Sequence, residues 1–433
     1  MATEERYREL SSAGGDRQNA ATSIELGQGK PALTTGEAPD GGTEAWLVAA
    51  GAAFISFTAL GYANSFGIFQ QYYMTHQLKG ESADKIAWIG STAGFIQFAA
   101  GAIGGPLFDR YGAWVIRPAA VLYMFSIMMI SLCHEYWHFM LAQGVLMGIS
   151  MGLLTFPSMA AVSQYFDKKR AAALGVAISG SSIGGVVIPI ALSKMLTSSS
   201  LGFGWTVRIV GFVMLPLLVF SCLTVKSRLP PRPTTFFITA AFKNINYILL
   251  IVAMFFLFLG MFAPLFFIPT YAVSRGMEET LASYLLAIVN AASTFGRIIP
   301  GILADKFGPF NMLSVAGLVN GIVVMCMNKA VTNAELVVYS VVFGFSSGMI
   351  ISGGAAAFAT CPKDMRDLGS YMGMGLGLSS LAVLIGPPIN GALVDRYGGF
   401  LQVSVFCGVM CLVGGFVALI SKLATPQGIR GRI

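Results

Sequence analysis

The sequence predicts an all-α membrane protein whose twelve transmembrane helices form two pseudo-symmetric six-helix bundles. Three observations carry the prediction. First, 55% of the 433 residues are hydrophobic and 11% are charged, whereas a soluble domain spends about a quarter of its residues on charge. With a mean hydropathy of +0.72, a water-soluble fold would lack the polar side chains to cover its surface. Second, mostly apolar runs of about 18 to 25 residues recur, each long enough to cross the hydrocarbon core at a rise of about 1.5 Å per residue. Third, one short glycine- and charge-bearing pattern returns about half a chain later, as a duplicated bundle requires.

Residues 1–44 are rich in Ala, Gly, Ser, Thr and Glu without apolar periodicity, so they are expected to form a disordered cytosolic tail. The first apolar run, from Trp46 to about Phe69, is too long and too far along the chain for a signal peptide. Helices are expected at 46–70, 87–109, 113–132, 137–160, 170–193, 205–225, 247–270, 281–304, 311–328, 335–358, 369–392 and 400–421. The two bundles then occupy 45–225 and 247–421, with 422–433 as a second tail. Pro230, Pro231 and Pro233 mark 226–246 as a cytosolic linker between them. Of the 27 Lys and Arg residues, nineteen fall in the tails and the even-numbered connections, seven on the other side, and Arg297 within a helix. The positive-inside rule therefore places both termini in the cytosol.

The recurring pattern is Gly105-Pro-Leu-Phe-Asp109-Arg110-Tyr-Gly112 at the end of the second helix and Gly301-Ile-Leu-Ala-Asp305-Lys306-Phe-Gly308 at the end of the eighth. A third copy, Gly391-Ala-Leu-Val-Asp395-Arg396-Tyr-Gly398, ends the eleventh helix on the other side of the membrane. Glycines let helices approach closely and take the left-handed turn that ends a helix, while the acid and base offer switchable pairs at the membrane edge. One copy alone would read equally well as an ordinary helix end. Matched copies at half-chain spacing point to a gate built from Gly105, Asp109, Arg110, Gly112, Asp305 and Lys306.

On this motif the chain resembles the major facilitator superfamily, which carries it between helices two and three and echoes it between eight and nine. A narrower resemblance follows from Pro39-Asp40-Gly41-Gly42, four residues before Trp46, and from Tyr165-Phe166-Asp167-Lys168-Lys169-Arg170 running on through Gly175, Gly180 and Gly184. Both look like signatures of the monocarboxylate porter family, in its fungal branch, over about residues 39 to 421. The resemblance implies the major facilitator fold and proton-linked or facilitated movement of a small carboxylate. In fungal relatives it implies uptake or export of other organic molecules, secondary metabolites included.

Arg297 is the most informative residue of the path, because an arginine inside an apolar run should face the bundle interior or a water-filled cavity. Asn290, Ser293 and Arg297 share one helix face. The competing reading is snorkelling, since Arg297 lies roughly 12 Å from the end of its helix. The porter family carries an arginine in this region, which Arg297 matches, and an aspartate one turn earlier, where this chain has Ser293. Animal porters have a lysine after a Tyr-Ala pair, but Tyr62-Ala63 continues here as Asn64-Ser65. Losing that acid and base weakens the case for proton symport of a lactate-like substrate and favours a larger, less acidic one. Tyr62, Asn64 and Gln143 complete the expected substrate contacts, Gln143 lying on a semi-polar stripe with Met147 and Ser150.

Other classes are weighed and set aside. The formal charge of +7 is scattered in ones to threes, without the stripe that nucleic acid needs. The six cysteines show neither disulfide nor zinc spacing. His134-Glu135-Tyr136-Trp137-His138 matches the zinc-protease pattern, yet it falls in a short connection where an unbroken helix through both histidines is not expected. A transporter-like nutrient sensor would want longer cytosolic extensions. No ATP-binding glycine run is present, and no cofactor or metal is expected. The reading is a monomeric, multi-pass carrier in the plasma membrane. It moves a small organic solute by alternating access, with an anionic solute and coupled protons both left open. Export of a fungal secondary metabolite is favoured over uptake of a monocarboxylate or other nutrient.

Overall fold

The computed structural model describes residues 39–166, 170–197, 200–230, 238–362 and 368–423, with backbone alone at 170–172, 302, 305, 306, 368 and 369. Twelve helices carry the membrane crossings: α1 (Thr43–Gln77), α2 (Ala83–Tyr111), α3 (Ile116–Ile130), α4 (Tyr136–Tyr165), α5 (Arg170–Thr197), α6 (Gly202–Thr224), α7 (Ile245–Ser274), α8 (Glu279–Phe307), α9 (Pro309–Met325), α10 (Asn333–Ala359), α11 (Ser370–Tyr397) and α12 (Leu401–Leu423). Among the described residues, eleven continuous helical runs are long and apolar enough to span a membrane, one fewer than the predicted helices. The difference lies at Gly112–Val115, where a 3-10 turn joins α2 to α3 into one run of 48 residues. At about 1.5 Å per residue that run is more than twice the hydrocarbon thickness, so it must fold back. The packing agrees. Gly144, Gly148 and Gly152 of α4 lie against Ile89, Ala93 and Gln97 of α2, a parallel register. Gly204 and Gly211 of α6 meet Ser131 and Ile127 beside α3, an antiparallel one.

Most helices outrun the predicted boundaries. The chain enters α1 at Thr43 rather than Trp46 and leaves it at Gln77 rather than near residue 70. Hydrophobicity reports only the stretch that lipid covers, whereas polar caps extend the helix beyond it. Thr332 and Glu335 form a reciprocal capping box at the start of α10, and the Asn244 side chain accepts from the Asn246 amide ahead of α7. The helices are also less regular than apolar periodicity suggests. α1 is interrupted at Asn64-Ser65 and ends in a π-helical segment, Tyr73–Gln77, and α4 contains another at Met140–Leu146.

The two porter-like signatures meet in space. Asp40 and Gly42 have positive φ, turning the chain into α1, and the Asp40 amide donates to the carbonyl of Tyr165 at 3.2 Å. The rings of Trp46 and Phe166 pack edge to face at 5.1 Å. Further in, Gly180 and Gly184 lie directly on the carbonyls of Ala53 and Phe57, so α5 packs backbone to backbone against α1. Residues 167–169 of the second signature lie outside the described residues.

Buried apolar side chains form two clusters. One fills the N-terminal six helices and continues through Phe266, Leu286, Phe343 and Phe400 on the side of the C-terminal six away from Gly112 and Gly308. The other, with Tyr247, Phe310, Phe358 and Met374, fills the C-terminal six on the motif-bearing side. The two bundles thus share one core on the face opposite the motifs and keep separate cores on the motif face. Exposed tryptophans ring both ends of the helices, Trp46 and Trp114 on the motif face and Trp137 and Trp205 on the other. Arg117 lies over Trp114 at 4.6 Å and Arg208 over Trp205 at 5.1 Å, the positions an aromatic belt takes in a bilayer.

Candidate functional site

The polar residues that sequence reasoning singled out converge in part where α1, α5 and α8 meet. The regular α-helical hydrogen bonding of α1 lapses at Asn64-Ser65, which keep right-handed helical angles, and Asn64 there lies at the boundary with α8. There its amide Nδ2 donates to Asn290 Oδ1 at 2.9 Å, while Asn290 Nδ2 donates to the carbonyl of Leu286 at 2.8 Å. Gly185 of α5 makes room, since a Cβ there would sit 2.6 Å from Asn290 Cγ. Locally irregular helical backbone with polar side chains at membrane depth survives only where protein or a cavity lines it, as it does here between α1, α5 and α8.

Two turns along α8, Arg297 reaches α5. Its Nη1 donates to Ser181 Oγ at 2.7 Å, and its Nε is buried without a partner. The arginine is half-buried, and it points across a boundary between bundles rather than along its helix to the membrane edge. Among the described residues no carboxylate forms an ion pair with the guanidinium. A guanidinium held by one neutral hydroxyl keeps most of its capacity for an acidic acceptor.

Tyr62 and Gln143 sit apart from this group. Both are buried within the N-terminal bundle, and Gln143 Oε1 accepts from the Tyr73 hydroxyl at 2.7 Å. The Tyr62 hydroxyl has no partner, and its ring packs 5.3 Å from that of Phe69. Gln143 lies in the π-helical segment of α4 and Tyr73 opens that of α1, irregularities that often accompany functional sites. Sequence reasoning missed Ser181 and Tyr73. A serine between Gly180 and Gly184-Gly185 in an apolar helix is a signal that could have found the first, whereas a tyrosine at a helix end looks like any interfacial aromatic.

All three motif copies end on a glycine in the left-handed region, with φ of 64° at Gly112, 88° at Gly308 and 63° at Gly398. Gly112 packs on Ser227, and Arg110 lies over the Tyr111 ring at 5.6 Å. Gly105 and Asp109 occupy the last turns of α2. The side chains of Asp305 and Lys306 lie outside the described residues. On the other face, the third copy touches the partner bundle: the Asp84 amide donates to Asp395 Oδ2 at 3.5 Å, and Gly391 packs on Asp84.

The His-Glu-x-x-His run does not form a metal-binding turn. α4 starts only at Tyr136, leaving His134 outside the helix, and Glu135 caps that helix while Trp137 Nε1 donates to its Oε2 at 2.6 Å. No group of three or more His, Cys, Asp or Glu among the described residues could hold a metal ion.

Comparison with known proteins supplies the family. The description of the Major Facilitator Superfamily matches residues 47–331. The chain belongs to the major facilitator superfamily. Within it, the chain is 51% identical over 390 residues to an aspyridones efflux protein of Emericella nidulans, covering 90% of this chain and 80% of that one. It is 39% identical to an MFS-type transporter of Aspergillus niger, covering 90% and 91%, and 39% identical to an agnestins efflux protein of Paecilomyces divaricatus, covering 88% of each. The fold is shared with a peptide transporter solved in complex with sulfate, at a TM-score of 0.69, 16% identity and coverage of 89% and 96%. The nucleoside transporter NupG gives a TM-score of 0.69, 15% identity and coverage of 87% and 99%. This major facilitator is an integral multi-pass membrane transporter of a small molecule and not an enzyme.

Proposed function

We propose that this transporter exports a fungal secondary metabolite by alternating access, with Arg297 as its anion contact and Asn290 and Asn64 as neutral ones. One observation carries the export reading: the 51% identity, over 90% of the chain, to a protein named for aspyridones efflux. Arg297 supports an acidic substrate because its guanidinium meets a single neutral acceptor at a boundary between bundles. Gln143 and Tyr62 then shape the site from behind, through Tyr73 and Phe69. Gly105, Asp109, Arg110, Gly112, Asp305 and Lys306 form the cytosolic gate, both termini lie in the cytosol, and residues 226–246 link the bundles 45–225 and 247–421. The monocarboxylate-porter affiliation is part of the same proposal and rests on the two signatures that meet at Asp40 and Tyr165.

The test is an export assay in cells loaded with aspyridones, comparing the fraction retained with and without the protein. Wild type is expected to empty the cells. Arg297→Ala, at equal surface abundance, is expected to lower the export rate at least about tenfold, since a charged hydrogen bond contributes about 1.5 to 3 kcal/mol. Unimpaired export by that variant would remove Arg297 from the site.

A further inference from the structure

Ser181 is placed to do more than fill space between α5 and α8. It is 1% exposed, and its hydroxyl donates to the carbonyl of Ile178 at 2.8 Å. That commits its proton to its own helix and turns its lone pairs outward, so toward Arg297 it can only accept. The glycines on either side remove steric bulk: Gly180 and Gly184 against α1, Gly185 against Asn290. Ser181 thus offers the guanidinium an acceptor at the point where α5 and α8 touch.

The atom it engages matters. A guanidinium presents acceptors with edges of two parallel N–H groups, and a carboxylate grips one edge with both oxygens. Ser181 takes Nη1. The edge formed by Nε and Nη2 is the one that bond leaves, and Nε has no partner although it is buried. A buried donor without an acceptor is unfavourable, so this arrangement favours any ligand that brings paired oxygens to that edge while Ser181 still holds Nη1.

We propose that Ser181 is a positioning residue for transport, holding Arg297 by Nη1 so that its Nε–Nη2 edge meets a planar pair of acidic oxygens on the substrate, as in a carboxylate. The proposal rests on the reading of Arg297 as the anion contact. Without Ser181 the guanidinium swings between acceptors, and each substrate pays to orient it. With threonine the acceptor returns.

The first measurement uses purified full-length protein in detergent and follows the thermal unfolding midpoint with benzoate, a planar carboxylate, or benzamide, its neutral counterpart. Benzoate is expected to raise the midpoint of wild type and of Ser181→Thr, to do so in Ser181→Ala only at about fivefold higher concentration, and to leave Arg297→Ala unmoved. Benzamide is expected to do nothing. Equal shifts by the two compounds in wild type would overturn the paired-oxygen reading. Equal benzoate dependence in wild type and Ser181→Ala would overturn the positioning role while leaving Arg297 in place. A benzoate shift that survives in Arg297→Ala would instead overturn the reading beneath it. The second measurement is the concentration dependence of aspyridones export. Ser181→Ala is expected to raise KM about fivefold with the maximal rate kept within about twofold, a split that general loosening of the helix pair would not give. Should Ser181→Ala reach the membrane poorly, Ser181→Gly, which also lacks the hydroxyl and adds no bulk, decides on the same readouts.

Discussion

Asn64 and Asn290 illustrate how a single hydrogen bond can belong to two bundles. Each side chain at membrane depth is costly alone, and the 2.9 Å bond between them satisfies part of both. Asn64→Ala removes the donor while Asn290 keeps its own bond to Leu286. The expected loss is therefore modest, roughly 0.6 kcal/mol as for typical interhelical bonds in membranes, seen as a drop of a few degrees or less in the unfolding midpoint. Asn290→Ala is expected to cost more, because it empties the space facing Gly185 and strands Asn64. Equal midpoints for both variants and wild type would show that the bond adds nothing to stability. At this scale the sequence marked Arg297, Asn290 and Asn64 because a polar residue in an apolar run is conspicuous. It could not say that Gln143 is already engaged by Tyr73, since the partner lies 70 positions away in the chain and its selection depends on how α1 and α4 are rotated.

At the scale of helices, glycine decides which pairs come close. Gly180 lies against the Ala53 carbonyl and Gly184 against that of Phe57, contacts that leave no volume for a side chain. Gly180→Val is expected to push α5 from α1, lowering the amount of folded protein in the membrane several-fold by immunoblot of the membrane fraction, with the cost of about 1 to 3 kcal/mol typical of overpacking. Gly175, with nothing within reach of a Cβ, is the control, and Gly175→Ala should accumulate like wild type. Gly112 differs from both, since its φ of 64° is itself unfavourable for a side chain. Gly112→Val combines that strain with a clash against Ser227 and is expected to impair export more than abundance if this turn is the hinge of the gate. The repeated pattern showed where helices end, and the same φ sign at Gly112, Gly308 and Gly398 is what its final glycine supplies. The pattern did not show that α2 would run into α3 without a gap in helical structure. Hydropathy cannot distinguish a tight 3-10 turn from a short loop when both carry the residues Gly-Ala-Trp-Val.

At the scale of the molecule, the shared apolar core lies opposite the motif face. The rings of Phe66 and Phe266 stand 5.1 Å apart across the two bundles on that side, and Asp395 reaches the start of α2 nearby. Alternating access requires those contacts to part once per cycle. A double variant, Phe66→Cys with Phe266→Cys in a background freed of the six native cysteines, is expected to be bridged by a bifunctional methanethiosulfonate reagent that spans the space the two rings leave, and to stop export, with activity returning on reduction. Export that continues in the fully cross-linked protein would mean that this side does not open. Charge counting makes a matching prediction: a tag at either end of the chain should be reached by antibody only after the cells are permeabilised.

The sequence by itself determined the membrane class, the near-twelvefold repetition of helices, the duplicated motif and the family. These are properties of local composition and of spacing along the chain, and the bilayer enforces them by requiring every crossing to be a hydrogen-bonded apolar helix. Only the tertiary structure decided which polar residues meet. It joined Asn64 to Asn290 and Arg297 to Ser181, and it drew Tyr62 and Gln143 into the N-terminal bundle. It also decided on which face the two bundles share a core. The physical reason is that lipid sets where a helix begins and ends, while its rotation and its neighbours follow from close contacts between backbones at glycines such as Gly180, Gly184 and Gly185, which no single stretch of sequence contains.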